Sequence, residues 1–358
     1  MNLDNSKQFA KLDQHGVAKS LELLPDQIRQ VLEEARLVSI PKEYSKITEV
    51  VLAGMGGSNL SAHILRSALG DTLKKPLTIA AGYQVPAHIG PQTLFVLSSY
   101  SGTTEETLSV YKEAKKRGAK IIALTADMPK NKLKALMMKE DIPGYVFQPI
   151  QNPSGQPRLA VAYAVFGLSV LLAKAGVHKI EVKEMEDIIA SLEIWSRRLR
   201  VNVKTAENRA KQIAQLLAGR TPVLVGAEHL AGNLHALRNQ INENAKLFST
   251  YLELPDLNHH AMEGLINPKS NKNNLFFVFF DSKLYHKRVQ KRNALTKTVV
   301  EKNGIKFAAV EMTGKTKLLQ SYELLQFGSW LSYYLGALYD VDPIKIPWVD
   351  WFKGEMGK

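Results

Sequence analysis

The sequence predicts an α/β chain with two subdomains, each a mostly parallel sheet flanked by helices. Three observations lead there. Short β-branched apolar runs alternate with amphipathic stretches, two of these runs end in glycine- or serine-rich turns, and one strand–turn–helix unit recurs. Alternation of this kind supplies the long crossovers that parallel strands need. The length, 358 residues, suits about two domains.

Residues 1–45 read as helical, because Leu21, Leu24, Ile28, Val31 and Leu32 recur on one helical face. ITEVVLAGMGG reads as a strand entering a tight turn, and SNLSAHILRSALG as the helix after it. LTIAAGY, TLFVLSS and IIALTA read as further strands, with TTEETLSVYKEAKKRGAK a charged helix closed by Gly118. Residues 126–158, richer in Lys, Pro, Gly and Asn, read as a linking region before an apolar helix at 159–173. That helix is interrupted by Gly167 and Ser169 and falls short of the roughly 20 residues of a membrane span, so it is read as buried. Beyond it come helices through EMEDIIASLEIW and 206–217, strands TPVLVG, NLFFVFF and GIKFAAVEM, a buried helix over 322–339, and a Pro-rich, then aromatic, tail. The expected divisions are a helical segment 1–45, a first domain 46–155, connecting helices 156–185, a second domain 186–340 and a tail 341–358.

Composition narrows the function classes. Forty-seven basic against 34 acidic residues give a net charge of +13, which suits an anionic partner without choosing between nucleic acid and a phosphorylated metabolite. With no cysteine, disulfides, thiolate metal sites and cysteine nucleophiles are excluded. The polar start MNLDNSKQFAKLDQHG has no apolar leader core, so a soluble, cytoplasmic chain is expected, with no membrane partner.

VLAGMGGSNLSAHIL (51–65) can be laid over VLVGAEHLAGNLHAL (223–237). The second copy has Glu228-His229-Leu230 where the first has Gly56-Gly57-Ser58. A duplicated scaffold with divergent loops implies that one half binds while the other contributes different chemistry. Chance likeness between any two strand–helix units is the competing explanation.

Two loops suit a phosphate. GMGGS (54–58) joins strand to helix, where Gly56 and Gly57 let backbone N–H groups approach an anion. SSYSGTTEET (98–107) sets the hydroxyls of Ser99, Ser101, Thr103 and Thr104 around Gly102 at a helix start. One or two hydroxyls would suffice for a cap, and four exceed that need. Neighbouring strands would bring both loops to one pocket at the carboxyl ends of the sheet. Farther on, RNQINENAK places Arg238, Glu243 and Lys246 on a helical stretch, and ELPDLNHHAMEG follows. A carboxylate and a histidine can move a proton between adjacent carbons and open a sugar ring, and a short loop-like stretch between Glu243 and His259 would let both reach one pocket.

The run S-x-S-G-x-T after a strand resembles the phosphosugar loop of the sugar isomerase (SIS) domain, and GMGGS resembles that fold's first glycine loop. NENAK, ELPDLNH, GQPR (155–158) and VDWFKGEM, in that family's order, resemble the bifunctional phosphoglucose/phosphomannose isomerase family. The resemblance implies two SIS subdomains and an aldose–ketose isomerase acting on hexose 6-phosphates through a cis-enediol, with no cofactor, no metal and no nucleic acid. It makes Glu243 the base, Arg158 the cation at the enediolate, and His259 with Lys353 the ring-opening pair. Gly56, Gly57, Ser58, Ser99, Ser101, Thr103, Thr104 and Pro157 become substrate-binding positions. His260 then falls to a surface or interface, and Lys353 is preferred to Lys345. The resemblance also implies a homodimer in which His259 can reach the neighbouring subunit's pocket. One departure stands out. DPIKIPWVDWFK holds no Thr or Ser, whereas use of mannose 6-phosphate in the family is associated with a threonine there, so glucose and fructose phosphates are the better-supported substrates. The competing classes are a SIS-domain regulator that senses a sugar phosphate and an aminosugar-phosphate isomerase.

Overall fold

The computed structural model describes residues 1–357. Five parallel strands, β1 (Glu49–Ala53), β2 (Leu77–Ala80), β3 (Thr93–Ser98), β4 (Lys120–Ala126) and β5 (Gly144–Phe147), form one sheet in the order β2-β1-β3-β4-β5. Four more, β6 (Thr221–Ala227), β7 (Thr250–Leu254), β8 (Leu275–Ser282) and β9 (Lys306–Met312), form a second in the order β7-β6-β8-β9. Helices cover the central strands, so residues on both faces of β3 and most of β6 are buried. This explains why these strands read as continuous apolar runs rather than alternating ones.

The two sheets are copies. β6, β7, β8 and β9 repeat the order of β1, β2, β3 and β4, and Val51 faces Phe95 in the register with which Val223 faces Phe277. β1 and β6 each lead through one tight turn, Gly56–Ser58 or Glu228–Leu230, into a helix, Leu60–Leu69 or Ala231–Ala245. Gly56 and the aligned Glu228 share a left-handed backbone, with φ of 52° and 48°. Chance likeness does not explain a matched strand order and a matched left-handed residue. The two helices meet so closely that a Cβ on Gly232 would lie 2.1 Å from the His63 carbonyl oxygen. Beside this crossing the aligned residues His63 and His235 stack with ring centroids 4.2 Å apart.

The expected elements are present, with five main additions. The linking region expected over 126–158 contains the helix Lys132–Glu140 and the edge strand β5, so it completes the first sheet. The Pro143-Gly144 pair hides β5 in the sequence, because it reads locally as a turn. β7 occupies part of the stretch read as loop-like before ELPDLNH; as an edge strand it buries only Leu254 and has little apolar signature. The helix Lys287–Lys302 has no counterpart among the expected elements, and the tail forms the helix Pro347–Met356. Among the described residues no helix is long and apolar enough to cross a membrane.

Candidate active site

The two loops are stitched together at the ends of β1 and β3. The Tyr100 N–H donates to the Ser58 Oγ at 2.9 Å, and the Ser98 hydroxyl donates to the Ser58 carbonyl at 2.9 Å. Ser58 accepts through its oxygen and keeps its own proton to offer a ligand. Within the second loop, the hydroxyls of Ser99 and Thr104 lie 2.8 Å apart, those of Ser101 and Thr103 3.0 Å apart, and the Gly102 N–H donates to Ser99. Thr104 is the N-cap of the helix Glu105–Ser109 without spending its side chain on the cap. The hydroxyl set therefore exceeds the needs of capping.

Gly102 is required here. Its φ is 68°, and a Cβ would fall 1.7 Å from the Asn131 Oδ1. Asn131 in turn donates to Thr125 Oγ1 and the Ala126 carbonyl, each at 2.7 Å, and caps the helix Lys132–Glu140. Asn131 thus holds the loop from beneath; it lies in the region that reads as a linker, and only the loop's own glycine hints at it.

Gly57 leads to the rest of the site. A Cβ there would meet Pro157 Cβ at 3.3 Å and the Arg158 amide at 3.6 Å, so the first glycine loop and the GQPR segment touch. Arg158 is 2% exposed. Its guanidinium donates from Nε to Asn244 Oδ1 at 2.6 Å, from Nη1 to Gln156 at 2.9 Å, and from Nη2 to the carbonyls of Pro343 (2.5 Å) and Ile344 (3.1 Å). Nη1 lies 3.4 Å from Glu243 Oε2, whose side chain remains 31% exposed. A guanidinium held by five acceptor contacts keeps its place; burial lowers its pKa, and the charges of Glu243, Asp342 and Asp350 oppose that shift.

The electrostatics suit proton transfer. Burial pushes the Glu243 carboxyl above its ordinary range, opposed by Arg158, Lys353 and Lys246 in that order. Lys353, on the terminal helix, is close enough to contribute its charge to Glu243, whereas Lys345 pairs with Asp342 at 3.6 Å. Lys246 donates to the Asp342 carbonyl at 2.5 Å, and desolvation by burial with repulsion from Arg158 lowers its pKa to about 8. Asn244 and Lys246 follow Glu243 in NENAK; the sequence marks Lys246 as a neighbouring cation, but nothing local singles out Asn244.

His259 stands apart. It is exposed at the end of the short turn Asp256–His259, and among the described residues no hydrogen bond or ion pair joins it to Glu243, Arg158 or Lys353. β7 and its turn lie between Glu243 and His259, so the stretch that reads as loop-like is not a free loop. His260 is exposed and faces Asp256 at 3.2 Å. No group of three His, Asp or Glu side chains among the described residues could hold a metal ion.

Residues 43–136 match the SIS domain model, and 206–356 match the bacterial phospho-glucose isomerase C-terminal SIS domain. The chain is 30% identical over 345 residues to the bifunctional phosphoglucose/phosphomannose isomerase of Caldicellulosiruptor bescii, covering 95% of this chain and 98% of that one. The Aquifex aeolicus protein of the same name is 29% identical over 321 residues, covering 89% and 93%. Among solved structures, a hypothetical protein of Thermus thermophilus shares the fold with a TM-score of 0.73 at 17% identity, over 98% of this chain and 92% of that one. Identity that spans nearly the whole length, with both halves matched, decides the matter: the chain belongs to the bifunctional phosphoglucose/phosphomannose isomerase family.

Proposed function

We propose that this chain interconverts glucose 6-phosphate and fructose 6-phosphate, and mannose 6-phosphate by the same route, through proton transfer between C1 and C2. The observation that carries this reading is the contact of Gly57 with Pro157 and Arg158, which sets the hydroxyl-rich loops beside the Arg158–Glu243 pair. Relatives of both names in one, phosphoglucose and phosphomannose isomerase, support it.

In this reading the phosphate binds Ser58, Ser99, Ser101, Thr103, Thr104 and the amides of Gly56 and Gly57. With the pyranose opened, Glu243 takes the proton from C2 of the aldose as the carbonyl at C1 becomes an enediolate oxygen. Arg158, fixed by Asn244 and the tail carbonyls, faces that developing charge at no reorganisation cost. The proton returns to C1 while the C2 hydroxyl passes its own proton to the C1 oxygen, leaving a hydroxyl at C1 and the ketone at C2. Glucose and mannose 6-phosphates, differing only at C2, give the same intermediate, so one base suffices if it reaches either face. Lys353 serves near the ring oxygen.

His259 would complete ring opening from a second protomer of a homodimer. Its exposure and its separation from Glu243 support this, as does the terminal helix, which leaves Trp348, Trp351 and Phe352 uncovered. Co-expressed Glu243→Gln and His259→Ala chains test it, because mixed dimers would regain one intact site and about a quarter of wild-type turnover. No regain would place the ring-opening acid within one chain. The cytoplasm is the proposed location, supported by the absence of cysteine.

A coupled assay for fructose 6-phosphate, with glucose and mannose 6-phosphates side by side and with and without EDTA, tests the activity. Turnover of glucose 6-phosphate indifferent to EDTA is expected. Saturable binding of sugar phosphate without any turnover would favour a sensor instead.

A further inference from the structure

The duplication reaches beyond the loops. The register that lays Val51 on Val223 and Gly56 on Glu228 also lays Asp71 on Glu243 and Lys74 on Lys246. Glu243 pairs with Arg158 just before the helix Val161–Lys174; Asp71 pairs with Lys317 at the first residue of the helix Lys317–Leu338. Lys246 donates to a carbonyl in the segment after the helix Lys317–Leu338; the Lys74 N–H donates at 2.9 Å to the Val177 carbonyl in the segment after the helix Val161–Lys174. The acid, the basic partner and the closing segment thus recur in a second cleft.

That cleft has a volume of about 500 Å³, within the range of metabolite pockets, and is lined by Asp71, Lys74, His178, Lys179, Glu184 and Lys317. Of its three lysines only Lys317 is held by a carboxylate; among the described residues Lys74 and Lys179 have none. The phosphate corner, however, is not copied. Glu228 replaces Gly56, and its carboxylate accepts from the His286 N–H at 3.0 Å. His286 is the N-cap of the helix after β8, as Thr104 is after β3. The chain's own carboxylate thus occupies an amide that would otherwise face an anion, and a phosphosugar cannot be held here as in the catalytic loops.

We propose that this duplicate cleft is a second binding site, for a small metabolite carrying two or more anionic groups gripped by Lys74, Lys179 and Lys317. Ammonium groups without carboxylate partners favour such a ligand through charge-assisted hydrogen bonds. Inorganic pyrophosphate and tricarballylate serve as probes, the first for phosphate chemistry and the second for carboxylate chemistry. Calorimetric titration of the full chain carrying Ser101→Ala and Thr104→Val, which weaken the catalytic loop, should show one saturable site per chain for at least one probe. Adding Lys74→Glu and Lys179→Glu should weaken that binding at least tenfold, while in the otherwise wild-type chain the same pair leaves fructose 6-phosphate formation unchanged. If the charge reversals impair folding, Lys74→Gln with Lys179→Gln replaces them. Equal affinity with and without the lysine changes, or no saturable binding of either probe, overturns the proposal.

Discussion

Arg158 and Glu243 stand 3.4 Å apart, yet the shorter hydrogen bonds of the guanidinium all go elsewhere, to Asn244, Gln156, Pro343 and Ile344. The arginine is therefore immobilised by neutral acceptors and leaves the carboxylate free to accept a proton. Asn244, the residue next to Glu243, is also held by the Ser332 hydroxyl at 2.9 Å, so the helix that carries Glu243 also aims the guanidinium.

Glu243→Gln keeps the size of the side chain and removes its basicity. Turnover should fall by roughly 10²–10⁴, the usual contribution of a general base. Exchange of the C2 hydrogen with deuterated solvent should stop as well, while a competitive sugar-phosphate inhibitor still binds. A variant retaining more than about a tenth of wild-type turnover assigns the base to another residue.

Lys246→Met should move the acid limb of the pH profile upward. Glu243 must be ionised to act, and burial already raises its pKa above the ordinary 4.5. Lys246 is one of the three cations that lower it, so its removal raises it further. The kcat profile should then begin to fall at a higher pH than in the wild type. The substrate's own phosphate titration is common to both proteins and cancels in the comparison.

Gly102→Ala should damage both stability and binding. The new Cβ would overlap Asn131, and the left-handed backbone adds about 1–2 kcal/mol of strain. Gly155→Ala is the control: its φ is 66°, but no atom lies within 4 Å of the new Cβ, so strain alone is added. Thermal unfolding should separate the two, and only Gly102→Ala should raise KM for phosphosugars more than tenfold. Equal effects would show that the Asn131 contact yields without consequence.

Glu228→Gly and Glu228→Ala both lose the carboxylate that caps the His286 N–H. They differ in backbone, since a φ of 48° suits glycine and strains alanine. The glycine variant should be more stable by about 1 kcal/mol in denaturant unfolding. The reverse order would mean that the turn relaxes out of the left-handed region once the carboxylate is gone.

The hydroxyl- and glycine-rich loops and the Glu243 carboxylate were legible because they are local. A strand ending in GMGGS or SSYSGTTEET specifies its own turn, and NENAK carries its acid within one helical segment. The weak edge strands β5 and β7 were not legible, because half-exposed strands with a neighbour on one side need little apolar pattern. Asn131 is hidden for a related reason: it matters only because Gly102 packs on it from a different β–α unit. Lys211 is a further case, a lysine buried completely against the carbonyls of Leu3, Val201 and Val203, which no sequence pattern marks as interior.

By itself the sequence determined the parallel α/β architecture and its duplication, and it singled out the loops proposed for phosphate and the carboxylate proposed as the base. Periodicity, glycine positions and short motifs are properties of neighbouring residues. The tertiary structure alone decided that Arg158 is locked by Asn244 and the tail, that burial and Arg158 lower the Lys246 pKa to about 8, that His259 is exposed with no hydrogen bond to Glu243, and that a second charged cleft faces Lys317. Each of these depends on desolvation or on contact between segments far apart in the chain, and those terms exist only once the chain is folded.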